Sequence, residues 1–264
     1  MIKLWNQTMP HRCVEDAFEP YLTPYDCDAA KTAIVVCPGG AYCGRAAYEG
    51  NDVGAWLNTI GITAFVLEYR VAPSKAPAQP SDAQRAMRLA RKLCMERGIE
   101  RLGIMGFSAG GHLAATLSVH YDEAFYPPHD ELDNLSACPD FTVLCYSVID
   151  MGEYRHDWSR RFLLGDVPDE AQIEFYSPQR CVTENTPPAF LWHTAQDASV
   201  PAINKLEAGH IRTLYVCDKH IRNFALSQPL QHIFRFGFST NHFKAQRIKI
   251  NAVNYIDAVD QIRI

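Results

Sequence analysis

Gly103-Ile104-Met105-Gly106-Phe107-Ser108-Ala109-Gly110-Gly111-His112 places a Gly-x-Ser-x-Gly serine between two segments of different periodicity. The residues before it, Arg101 to Phe107, form a short, bounded apolar run that reads as a strand. Those after it, Gly111 to His120, carry Leu113, Ala114, Leu117 and Ser118 at helical spacing. The chain must turn sharply at Ser108. Glycines at 106 and 110 remove the side chains that would collide in such a turn, which leaves the serine hydroxyl exposed at the start of a helix, a nucleophile elbow. With ordinary Gly and Ser usage the three fixed positions recur by chance in a chain this long about one time in ten. The flanking strand and helix patterns therefore carry the reading.

Outward from the elbow the signals alternate. Thr32 to Cys37 is a β-branched apolar run ending in Pro38-Gly39-Gly40, Asn51 to Thr59 is helical in pattern, and Ile62 to Tyr69 returns as a strand, which makes a βαβ unit. Ala72 to Pro80 is rich in Pro and Ala and reads as a loop. Ser81 then caps a helix, with Gln84 at the reciprocal position, whose apolar face is Ala83, Ala86, Met87, Ala90, Leu93 and Cys94. Phe141 to Val148 and Ala189 to Thr194 supply further strands, and His120 to Pro139 is an irregular, partly aromatic insertion. The expectation is an α/β architecture with a mostly parallel central sheet flanked by helices. At 264 residues it is expected to be a single domain, 1–264, with 205–264 as an atypical tail that packs poorly.

Composition narrows the partners. A net charge of −5 without a basic stripe argues against nucleic acid and anionic membranes, and favours a small neutral molecule; a homo-oligomer stays open. Met1 to Gln7 lacks the apolar core of a signal peptide and no run is long enough to span a bilayer, so the expected location is cytoplasmic. Nine cysteines, with no Cys-x-x-Cys pair, suit reduced thiols rather than a disulfide framework or a zinc site. Cys37 and Cys43 stand apart because they flank the Pro38–Tyr42 loop.

An acyl-transfer serine needs oxyanion donors, a base and an acid that orients the base. Pro38-Gly39-Gly40-Ala41-Tyr42 follows the first core strand, where a loop would lend backbone N–H groups to a developing oxyanion. Gly40 and Ala41, with Ala109 after the serine, are the donor candidates. Either glycine alone is better explained by a tight turn, but the order strand, Gly-Gly loop, then elbow on a later strand favours the donor reading. Asp197, at the end of the strand ending in His193-Thr194, is placed for the acid and fits the chain order Ser, Asp, His; Asp150, after Ser147-Val148-Ile149, competes with it.

Several separated motifs carry a resemblance. Pro38 to Tyr42, Glu49-Gly50, Leu67-Glu68-Tyr69-Arg70-Val71-Ala72-Pro73, Asp82-Ala83-Gln84-Arg85-Ala86, Gly106 to Leu113 and Thr186 to Thr194 look like the α/β-hydrolase acetyl esterases and xylan-esterase-like lipases, over about residues 30–203. The resemblance implies an α/β-hydrolase fold and a carboxylester hydrolase with Ser108 as nucleophile and Asp197 as triad acid. It implies no metal and no cofactor, and short acyl groups, often acetyl on sugars, as substrate. Tyr69, Arg70, Asp82 and Arg85 belong to the likeness but read as packing and ion-pair residues. His112, one helical turn past Ser108, reads as structural.

The base is less determined. The resembling family carries its histidine in a Gly-x-His-Gly-like loop after the last long strand, and this sequence has no such tetrapeptide. His242, in the loop after Leu230 to Phe236, is favoured because a base beyond the strand reaches across the carboxyl edge of the sheet. His232, within that strand, is the alternative, and His210 and His220 rank below both. After Asn204 the likeness stops: Lys205-Leu206-Glu207-Ala208-Gly209-His210 replaces a Ser-Leu-rich amphipathic helix, and a reading frame shifted at codon 204 would account for it. Three functions stay open at this point: the serine esterase, a hydrolase-like protein without turnover, and a peptidase or amidase on the same fold.

Overall fold

The run Thr32–Cys37 becomes strand β3, whose residues beyond the first are buried on both faces, as a β-branched run in the middle of a parallel sheet must be. The computed structural model describes residues 1–6, 8–194, 197–200 and 213–217. Before β3 come β1 (Ile2–Lys3) and β2 (Tyr21–Tyr25); after it come α1 (Ala47–Thr59), β4 (Thr63–Glu68), α2 (Ala78–Arg97), β5 (Arg101–Phe107) and α3 (Ser108–Val119). Then follow β6 (Thr142–Cys145), α4 (Asp157–Leu164), α5 (Glu170–Phe175), β7 (Ala189–Thr194) and β8 (Thr213–Cys217). These strands form one eight-stranded sheet in the order β1-β2-β4-β3-β5-β6-β7-β8. The β1–β2 and β2–β4 pairs are antiparallel and the remaining pairs are parallel. The expected mostly parallel sheet with flanking helices is the observed one.

Period-two alternation divides the core. Ala33, Val35 and Cys37 of β3, Phe65 and Leu67 of β4, and Leu102 and Ile104 of β5 face one side, where they meet Ala83, Ala86, Met87 and Ala90 of α2 and Leu113, Ala114 and Leu117 of α3. Ile34, Val36, Ala64, Val66, Met105 and Phe107 face the other side and pack with Val53, Trp56 and Leu57 of α1. Both faces are covered, so β3 and β5 lie at the centre with their carboxyl ends at one edge of the sheet.

Several boundaries differ from the sequence expectation. The helix expected from Asn51 begins at Ala47, because its N-cap is Ala46, which has no capping side chain to mark the start. The helix expected to be capped by Ser81 begins at Ala78 instead, and no side chain caps it. Ser81 sits inside its first turn, with Oγ donating to the Pro77 carbonyl (2.7 Å), while Gln84 Nε2 donates to the carbonyls of Tyr121 and Glu123. Pro80 is tolerated there because first-turn N–H groups have no intrahelical acceptor. The strand expected over 141–148 pairs only over Thr142–Cys145, since Tyr146 adopts φ +35° and turns the chain.

The ion-pair readings hold. Arg70 and Asp82 are both wholly buried and form a two-pronged pair (Nη2–Oδ1 2.7 Å, Nε–Oδ2 2.9 Å), with Trp5 Nε1 donating to Asp82 as well. Breaking such a pair strands an uncompensated charge and costs about 3–5 kcal/mol. Arg85 pairs with Asp130 and donates to the Leu4 carbonyl, tying the 120–139 insertion and the N-terminal segment to α2.

Candidate active site

Strand β5 runs directly into α3, and the junction is Ser108, with φ +49°. Only close backbone packing permits that turn. A Cβ on Gly106 would lie 2.2 Å from the Gly110 carbonyl oxygen, and one on Gly110 would lie 2.1 Å from the Cys37 carbonyl oxygen. Neither position accepts a side chain, which is why the glycines two residues either side of the serine belong to the elbow. The Ser108 carbonyl accepts from Val148 N (3.0 Å), while its side chain is half-buried and Oγ has no hydrogen-bond partner among the described residues. Ala109 N, in the first turn of α3, is one of the helix N–H groups left without an intrahelical acceptor.

The loop after β3 lies beside this elbow. Gly40 (φ +135°), Ala41 (+53°) and Tyr42 (+61°) follow one another at positive φ, a run that turns successive peptide planes the same way. Cys43 N and Gly44 N donate to the Gly40 carbonyl, whereas the N–H groups of Gly40 and Ala41 have no acceptor among the described residues. The loop is held from several sides. Tyr69 OH donates to the Pro38 carbonyl (2.6 Å), Ala72 N donates to the Tyr42 carbonyl (2.7 Å), and the buried Tyr42 hydroxyl meets His112 Nδ1 (2.7 Å). His112 Nε2 lies 2.7 Å from the Tyr176 carbonyl oxygen, which can only accept. The proton is therefore on Nε2, and Nδ1 accepts from Tyr42. Burial holds this imidazole neutral, with its pKa pushed down to about 4. His112 thus supports the loop from below the elbow, a structural role as the sequence indicated.

Glu49, which the sequence marks only as part of the likeness, is buried at the same place. Its Oε2 accepts from Gly39 N (2.6 Å) and its Oε1 from Tyr146 OH (2.6 Å). Burial raises its pKa against the two hydrogen bonds, which lower it. Tyr146 carries no sequence signal: its partners on three elements lie far from it along the chain. The two cysteines that flank the loop differ. Cys37 is buried, and burial pushes its thiol pKa up; Cys43 is exposed, with Sγ 3.3 Å from the Gly40 carbonyl oxygen.

The two candidate acids have different surroundings. Asp150 is ringed by donors: Tyr154 N (2.7 Å) meets one oxygen, and Gln179 Nε2 (3.0 Å) and Ser177 Oγ (3.4 Å) meet the other, with Arg180 Nη2 at 3.6 Å. Burial would raise its pKa, but these hydrogen bonds and the guanidinium outweigh that and lower it. Asp197 follows β7, two strands from β5 through Phe107↔Cys145 and Cys145↔Trp192, so about 10 Å separates the two strands. Its Oδ1 accepts from Ser199 N and Val200 N (2.9 Å each), forming a tight turn; Oδ2 lies 3.8 Å from His193 Nε2, which is 2.7 Å from the Val200 carbonyl oxygen. The structure therefore brings Ser108, Gly40, Ala41 and Ala109 to one sheet edge, with Asp197 on the strand-end side of β7. His242, His232, His210 and His220 lie outside the described residues. Among the described residues no group of three or more His, Cys, Asp or Glu side chains could hold a metal ion, and no helix is long and apolar enough to cross a membrane.

A family model described as BD-FAE matches residues 21–207. The chain is similar to endo-1,4-beta-xylanase B of Butyrivibrio fibrisolvens (35% identity over 211 residues, 76% of this chain and 33% of that protein). It is also similar to an acetylxylan esterase of Xylanibacter ruminicola (34% over 178 residues, 65% of this chain and 35% of that protein). It spans about a third of the length of these curated relatives. Among solved structures, the acetyl ester-xyloside bifunctional hydrolase of Caldicellulosiruptor lactoaceticus superposes with a TM-score of 0.78 at 40% identity, covering 83% of this chain and 86% of that one. The fold is that of the α/β-hydrolase esterases, as the resemblance implied.

Proposed function

The chain belongs to the BD-FAE family, and from that premise we propose that it is a serine carboxylesterase acting on short-chain esters, with acetylated sugars as the substrate class. The observation that carries this reading is the juxtaposition of Ser108, held at φ +49°, with the N–H groups of Gly40 and Ala41, where neither the serine Oγ nor either N–H has a hydrogen-bond partner among the described residues. The substrate class is supported by the names of two relatives, an acetylxylan esterase and an acetyl ester-xyloside bifunctional hydrolase.

In the proposed reaction Ser108 Oγ attacks the ester carbonyl while a histidine takes its proton. The carbonyl oxygen becomes an oxyanion held by N–H groups of Gly40, Ala41 and Ala109. The histidine then protonates the leaving alcohol, and water, activated by the same base, releases the acyl group. His242 is the proposed base, with His232 as the alternative, and Asp197 is the acid that orients it. Asp150 is the weaker choice, because its oxygens already serve the turn at 150–154 and the Pro178–Arg180 segment. A second reading, a hydrolase-like protein without turnover, is favoured by one sequence observation, the missing Gly-x-His-Gly loop.

Hydrolysis of p-nitrophenyl acetate and release of acetate from acetylated xylan test both readings. Ser108→Ala should abolish turnover. His242→Ala and Asp197→Asn should each lower it by orders of magnitude, on the scale of about 10⁴ known for a lost orienting acid, whereas His232→Ala should change it modestly. A parent protein that turns over neither ester would reject the esterase and favour the second reading.

A further inference from the structure

Glu49 presents a physical problem that the ester chemistry does not answer. It is 6% exposed, in the first turn of α1, and makes no ion pair among the described residues. Carboxylates are rarely buried without a cation unless donors hold them. Its two donors come from opposite sides of the nucleophile strand. Gly39 N belongs to the loop after β3, and Tyr146 OH to the turn after β6; in the sheet order β3-β5-β6, the strand between them is β5, which ends at Phe107 and leads into Ser108. The carboxylate thus bridges the two strands that flank Ser108, at their carboxyl ends.

Tyr146 is fixed for this contact. Its φ of +35° turns the side chain out of the strand, its N–H donates to the Trp192 carbonyl (2.8 Å), and its ring packs against Phe107 and Trp192 at centroid distances of 5.9 and 5.7 Å. Gly39 is fixed from the other side. A Cβ there would lie 2.6 Å from Glu49 Oε2 and 3.0 Å from Ser108 Cβ, so this glycine is wedged between the carboxylate and the serine. Because Gly39 N–H is given to Glu49, it is not an oxyanion donor. The same bond sets the orientation of the peptide that precedes the two N–H groups that are.

We propose that Glu49, clamped by Tyr146, is the positioning residue of the oxyanion loop: it holds the Gly39 peptide so that Gly40 and Ala41 N–H face the carbonyl oxygen attacked by Ser108. This rests on the esterase reading of Ser108. A residue that orients the donors affects the transition state, where the charge develops, more than the bound ester. Its loss therefore lowers kcat with little change in KM.

The test compares the full-length parent with Glu49→Ala, Glu49→Gln, Tyr146→Phe and Ser108→Ala. It measures kcat and KM on p-nitrophenyl acetate, labelling by a fluorophosphonate, and the thermal midpoint. Glu49→Ala should lose about 10- to 100-fold in kcat, less than the loss of an oxyanion donor itself, with KM within about twofold. Glu49→Gln keeps an amide oxygen that accepts from Gly39 N–H, and should recover most of that loss. Parent-like kcat in folded Glu49→Ala, or a loss that Glu49→Gln does not recover, overturns the proposal. If Glu49→Ala does not fold, Tyr146→Phe decides: a several-fold drop in kcat at an unchanged midpoint supports the bridge, and unchanged kcat overturns it. The two levels separate cleanly. If the parent neither turns over the ester nor takes more label than Ser108→Ala, the esterase reading has failed and the positioning role falls with it. If the parent is active, Ser108→Ala is dead and Glu49→Ala is parent-like, the positioning role alone falls.

Discussion

Replacing Ser108 by glycine separates the chemistry of this residue from its conformational cost. Ser108 has φ +49°, in the left-handed region, where a residue with a Cβ is disfavoured by about 1–2 kcal/mol. Ser108→Ala keeps the Cβ and so keeps this cost; Ser108→Gly removes it. Glycine brings a penalty of its own, about 0.5–1 kcal/mol, from the extra freedom of the unfolded chain. The difference leaves Ser108→Gly more stable than Ser108→Ala by up to about 1.5 kcal/mol, or up to about 6 °C in midpoint for a chain of this size. The alanine variant is the right reference because both lose the hydroxyl, and Oγ has no hydrogen-bond partner among the described residues that would complicate the comparison. Thermal unfolding followed by circular dichroism, with p-nitrophenyl acetate turnover measured on the same samples, reads both consequences. A glycine variant that melts below the alanine variant would refute the claim that the elbow stores strain at 108. Parent-like turnover in either variant would refute the role of the hydroxyl.

Two further outcomes follow from the loop and its support. Gly40→Val puts a Cβ 2.3 Å from the Gly44 carbonyl oxygen at a φ of +135°, so the loop must move; kcat should fall about a hundredfold, and an unchanged kcat would reduce the loop to a turn. His112 titrates at about 4 in the folded protein against an ordinary 6.5, so between those values the unfolded chain binds the extra proton. Stability should then fall as pH drops from 6.5 to about 4, by up to about 1.4 kcal/mol per pH unit from this group. Urea midpoints across that range should decline less steeply in His112→Gln; equal slopes would show that the buried imidazole is not the source.

What the sequence determined by itself was whatever is encoded locally. The β-branched run at 32–37, the short apolar run at 101–107, the helical spacing after Ser108 and the paired glycines around it specified strand, elbow and helix, because side-chain periodicity and backbone sterics act over a few residues. The same local reading misplaced the starts of α1 and α2, where Ala46 and Pro77 mark the boundary without a capping side chain. Tertiary structure alone decided what depends on separated segments meeting. The surroundings of Asp150 and Asp197 are of this kind: donors converge on Asp150 from 154, 177, 179 and 180, whereas Asp197 Oδ1 is held by Ser199 N and Val200 N. The Glu49–Tyr146 bridge joins residues 97 positions apart across the nucleophile strand. No periodicity announces such a contact, because it is created by the sheet order, which puts the ends of β3 and β6 on either side of Ser108.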